Sequence, residues 1–99
     1  MSKFAIVATI KTVPGKRDQY LKFLDAHVKR CLATEPGTLQ FDILLPREEA
    51  EADTIMLYEV YASPEAFQTH FNGTSIEQMR KDAAGLQQSL TGVRCNLVE

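Results

Sequence analysis

Two histidines and one glutamate stand where this chain otherwise places large apolar residues. His27 is three residues from Leu24 and four from both Phe23 and Cys31, so it falls on the apolar stripe of a helix. His70 is three residues from Phe67 and four from Ala66, on the stripe of a second helix. Glu59 lies inside the strand-like run LYEVY and shares its parity with Leu57 and Tyr61. All three groups are therefore expected to point into the layer between helices and sheet. A buried carboxylate has to be paired, hydrogen-bonded or protonated. Imidazoles beside it exchange protons near neutrality. The chemistry on offer is acid–base chemistry in a cavity. The competing reading is that the histidines are satisfied core residues, or that a bulge turns Glu59 to the other face of the sheet. Two histidines and a carboxylate also make an iron site. Here the three come from different elements with no short-range ligand pair, so no metal is expected.

The elements that must position these groups can be read in order. Residues 4–12, FAIVATIKT, alternate as a strand, and VPGK is a turn. A helix follows from Lys16 to about Thr34, with apolar residues at 20, 23, 24, 28, 31 and 32. EPG at 35–37 breaks it. Strands at 38–45 and 54–61 are joined by the acidic loop PREEAEAD. Ser63 with Pro64 behind it is a strong helix start. That helix runs to about Asn72 and stops at Gly73, and Thr74 with Glu77 reads as a capping box for a continuation through Ala84. TGVRCNLV, residues 91–98, is the last strand. The order β-α-β-β-α-β is the ferredoxin-like α+β arrangement, an antiparallel sheet with helices on one face.

One face of that sheet is left without helices, yet it is greasy. Ala5 and Val7 of the first strand and Met56, Tyr58 and Val60 of the third belong to it. A wet sheet face alternates more cleanly than this. Packing two such faces together in a homodimer is the economical explanation.

Composition closes several other routes. The 99 residues make a single domain, 44% hydrophobic and 24% charged, with formal net charge −2. A nucleic-acid binder needs a basic face, which this balance does not favour. No apolar run approaches the roughly 20 residues of a membrane span, and the first residues lack the pattern of a secretory leader, so a cytoplasmic location is expected. Cys31 and Cys95 are too few for a disulfide framework and read as buried thiols. TVPGK has a single glycine and cannot form a phosphate loop. No cofactor is expected.

Two stretches together resemble a known family. AHVKRCLATEPGTLQFDIL (26–44) and LYEVYASPEAFQTHF (57–71) are similar to the antibiotic biosynthesis monooxygenase (ABM) domain family. The shared features are a histidine eight residues before EPG, the L-x-F-D and YE-x-Y strands, and the AF-x-x-H helix. The resemblance implies a dimeric α+β barrel with a cavity in each subunit. It also implies one of several reactions: cofactor-independent oxygenation of polyketides or quinols, haem degradation, or isomerisation of the phosphorylated autoinducer-2 signal. The haem branch relies on a tryptophan, and this chain has none. The polyketide oxygenases carry tryptophan where Tyr61 stands and an aromatic where Phe67 stands. Ser75 replaces a second histidine that follows the helix histidine in many members. The run LQFDIL…LYEVY…AFQTHF is most similar to the isomerase-like branch.

Both the oxygenase and the isomerase need a base that forms an enol or enolate in a dry pocket. His70 is expected to be that base, His27 its proton partner and Glu59 the orienting or relaying carboxylate. Tyr61, Phe41, Phe67 and Leu57 are expected to line the substrate. The expected activity is a cofactor-independent monooxygenase acting on a small quinol-like or enolisable molecule. The alternatives are an isomerase of a small phosphorylated carbonyl compound and a non-catalytic dimeric ligand-binding module.

Overall fold

A computed structural model describes residues 3–99. The described residues form β1 (Phe4–Thr12), α1 (Arg17–Thr34), β2 (Thr38–Leu44), β3 (Thr54–Tyr61), α2 (Pro64–Phe71), α3 (Thr74–Asp82) and β4 (Gln87–Asn96). The strands lie in the order β2-β3-β1-β4, every neighbouring pair antiparallel. This is the ferredoxin-like α+β fold expected from the sequence, with the second helix divided in two.

Register decides which side chains face the helices. Phe4, Ile6, Ala8 and Ile10 of β1 stand opposite Tyr61, Glu59, Leu57 and Ile55 of β3, and Phe41 of β2 flanks Glu59 from the other side. Directly opposed residues share a face, so Glu59 belongs to the helix-facing set. A bulge does occur in β2, between Thr38 and Gln40, but β3 keeps its parity. The helix-facing residues pack with Tyr20, Leu24, Val28 and Cys31 of α1 and Met79 and Ala83 of the α3 segment. Leu24 and Ile55 are almost wholly buried, and each such side chain contributes about 1.5–3 kcal/mol.

The two short helices are set by local chemistry. Ser63 Oγ accepts the Ala66 amide at 3.1 Å, and Pro64 occupies the first turn. The expected capping box at Thr74 does not form. Gly73 holds the cap position with extended backbone, and no side chain caps α3. The connection from α2 is so short that the Gly73 amide bonds the His70 carbonyl at 3.0 Å. A Cβ at Gly73 would lie 3.0 Å from the Thr69 carbonyl oxygen, so the turn leaves no slack for Thr74 to cap.

Other boundaries also move. β4 covers Gln87–Asn96 rather than 91–98, because β1 pairs with it as far as Gln87 through a bulge at Lys11/Thr12. Tertiary pairing overrides the weak strand character of Gln-Gln-Ser. Leu32, read as part of the α1 stripe, is 46% exposed. Cys95 is only partly buried, since β4 is the sheet edge. On the outer face Val7 and Val93 are exposed, but Val60, expected to meet a partner, is buried at 3% exposure. It sits on an inner strand, paired with Ala5 on one side and Gln40 on the other. Among the described residues, no helix is long and apolar enough to cross a membrane.

Candidate active site

The helices pack closest against β2 and β3, and between them and the β1–β4 side of the sheet lies a cavity of about 520 Å³. Its floor includes Ile6, Ala8, Leu57 and Glu59, and its roof includes Leu24 and His27 of α1 and Phe67 and His70 of α2. Phe41 closes one side. The cavity is mostly apolar with a small number of polar groups, the usual make-up of a ligand site. His27, Glu59 and His70 are each at most 5% exposed and all line it. So do Phe41, Leu57 and Phe67.

Tyr61 does not. It is fully buried and its hydroxyl donates to Glu59 Oε1 at 2.5 Å. It therefore supports Glu59 from behind instead of forming a substrate wall. Its ring sits 5.3 Å from that of Phe67 and 5.4 Å from that of His70. Burial and the neighbouring carboxylate hold the phenol well above its usual range, so it stays a donor.

The expected link between His70 and Glu59 is also absent. His70 Nδ1 instead meets Glu35 Oε1 at 2.7 Å. The same oxygen accepts the Thr38 hydroxyl at 2.9 Å. Glu35 ends α1 in extended conformation, an end where the helix dipole disfavours a carboxylate. That misplacement was the sequence signal for Glu35, which pattern reading passed over. Donation from Nδ1 to a carboxylate leaves Nε2 as the lone-pair nitrogen of the ring, the tautomer a base requires. Glu59 is left with Tyr61. Burial pushes its carboxyl up, against the Tyr61 hydrogen bond and the nearby His70.

His27 differs from expectation in its titration. Burial first, then the charges of His70 and Arg30, push it down to about 4. It is a neutral imidazole at neutral pH rather than a group poised to take up a proton. Cys31 lies between the two histidines, 3.6 Å from His27 Nε2 and 3.7 Å from His70 Nδ1. Their ligating atoms all fall within 4.8 Å of one another. His27 and Cys31 are four residues apart on α1, a short-range pair that was visible in the sequence. A cation held there would need the thiolate, whereas burial pushes the thiol up to about 12. His70 Nδ1 is also already engaged by Glu35.

Two arginines complete the opening. Arg80 of α3 and Arg94 of β4 line the cavity, stacked on Phe71 and Phe67 with Cζ 5.4 and 5.5 Å from the ring centroids. Sequence reading missed both. Arg94 could have been found from strand parity, since it stands opposite Ile6 on the helix-facing side.

Known proteins agree with this architecture. Residues 3–82 match the family described as antibiotic biosynthesis monooxygenase. A solved structure of a Pseudomonas aeruginosa protein superposes with a TM-score of 0.87 at 20% identity, covering 100% of this chain and 97% of that one. A candidate antibiotic biosynthesis monooxygenase from Caulobacter crescentus gives 0.86 at 22% identity, covering 99% and 92%. Another, from Bacteroides thetaiotaomicron, gives 0.85 at 16%, covering 99% and 91%. At these identities the likeness is one of fold. No curated protein matches the chain.

Proposed function

Because the chain belongs to the antibiotic biosynthesis monooxygenase family, we propose that its cavity oxygenates a small quinol-like or enolisable molecule without a cofactor. The observation that carries this reading is the buried His70 on the wall of an apolar cavity, held from outside it by the part-buried Glu35. His70 Nε2 removes a proton from an acidic C–H or O–H of the substrate. Glu35 fixes the ring and stabilises the imidazolium that forms. The resulting anion is electron-rich and reduces dioxygen directly. Conversion of a CH₂ to a carbonyl then consumes one O₂ and releases one water, and the substrate supplies all the electrons. Glu59, held by Tyr61 across the cavity, handles the second proton. His27 stays neutral and packs edge-on against Phe41, keeping that side dry.

A second reading draws on the same geometry. Two separate proton-handling pairs, His70–Glu35 and Glu59–Tyr61, are what moving a proton between adjacent carbons requires. That would make the protein an isomerase of a small phosphorylated carbonyl compound. An oxygen electrode separates the readings. Oxygenation consumes one O₂ per anthrone or quinol turned over, isomerisation consumes none, and a binding module turns over neither.

The exposed row of Val7 and Val93 with Tyr58 beside it supports a homodimer packed sheet to sheet. In that assembly the cavity stays on the far side of the sheet from the interface.

A further inference from the structure

We propose that the ligand of this cavity is an anion, a carboxylate or phosphate carried on an apolar body, and that Arg80 and Arg94 hold its charge. The proposal rests on the cavity being the binding site and names its substrate class.

Three observations carry it. First, the two guanidinium groups reach the opening from different elements, α3 and β4, and both line the cavity. They lie over adjacent rings, Phe71 and Phe67, whose centroids are 5.9 Å apart. Stacking fixes the planar groups while leaving their N–H donors free, and a guanidinium fork matches both carboxylate and phosphate. Second, neither arginine is in an ion pair among the described residues. The cations that are paired are Lys3, Lys11, Lys29 and Lys81, along with His70. Lys81, next in the chain to Arg80, is bound to Glu77. Other cations are unpaired too, but Arg80 and Arg94 are the only lysine or arginine side chains that line the cavity among the described residues. Third, Glu59 is the only carboxylate lining the cavity among the described residues, and it lies at the floor, engaged by Tyr61. Two positive charges at a low-dielectric opening focus field on an incoming anion. An anionic head at the arginines would leave the apolar body directed inward, toward His70 and Glu59.

Stable aromatic probes test this without turnover, so its failure is separate from failure of the oxygenase reading. Dissociation constants of naphthoate, naphthyl phosphate and naphthol are measured by calorimetry at low and high salt, for wild type, Arg80→Gln, Arg94→Gln and the double variant. Both arginines are exposed, and thermal melts check that each variant is folded. At least one anion should bind about ten- to a hundred-fold tighter than naphthol, the range for charge-assisted hydrogen bonds. The double variant and high salt should both erase that advantage. Whichever anion has the larger advantage identifies the head group. Equal affinity for the three probes, no binding of either anion, or an advantage that survives the double variant overturns the proposal.

Discussion

At the scale of single residues, burial is what gives each polar group its character. His27 titrates at about 4 in the folded chain and near 6.5 when exposed. The unfolded chain therefore takes up its proton first as pH falls. The stability this neutral imidazole contributes is full above about pH 6.5 and is lost as pH drops toward 4, by up to about 3 kcal/mol. Glu59, shifted upward, acts in the opposite sense, so the effect has to be isolated by difference. Urea titrations between pH 7 and 4 should show a steeper loss for wild type than for His27→Gln. Parallel curves would remove the assignment. The cysteines separate just as clearly. Cys31 is fully buried with its thiol raised to about 12, whereas Cys95 is partly exposed. A disulfide reagent should reach Cys31 only on unfolding. The placing of His27, Glu59 and His70 on one layer was legible because 3.6- and 2-residue periods fix facing. Their hydrogen-bond partners were not. Glu35 and His70 are brought together by the path of the chain between α1 and α2, which no local period encodes.

At the scale of elements, the EPG break does more than end α1. Gly37 passes so close to α2 that a Cβ there would lie 2.5 Å from Ala66 Cβ. The Gly37 carbonyl also accepts the Ala62 amide at 2.9 Å. This contact seats α2 against the start of β2 and brings His70 within reach of Glu35. Gly37→Ala should push the helix outward and cost about 1–3 kcal/mol, as overpacking usually does. Turnover should fall by more than the lost stability explains, because the His70–Glu35 bond is stretched. Unchanged urea stability and activity would show that the contact relaxes without cost. Ser63 and Pro64 announced the start of α2 from the sequence alone. The true start of β4 could not be read that way, since Gln87 to Ser89 become strand only through pairing with β1.

At the scale of the whole molecule, the outer sheet face and the cavity lie on opposite sides of the sheet. Tyr58, Val7 and Val93 form a row across β3, β1 and β4, with Val93 63% exposed. Val93→Asp should leave the fold intact and strand a charge in any sheet-to-sheet interface. Sedimentation should then show wild type at twice the 11.1 kDa chain mass and the variant at that mass. A monomeric wild type at micromolar concentration would end the dimer proposal. Val60 would have been a poor choice for this test, because the chain already buries it.

The central claim is that His70, oriented by Glu35, is a base and not packing. His70 is 2% exposed and surrounded by aromatic rings, so truncation to alanine would mix lost chemistry with a new cavity. His70→Asn keeps a donor for Glu35 and removes the basic nitrogen. Oxygen uptake on a quinol or anthrone, measured beside urea stability for the same protein, is the direct test. Turnover should fall about 10²- to 10⁴-fold with stability changed by less than about 1 kcal/mol. Turnover within a few-fold of wild type at unchanged stability would contradict the claim.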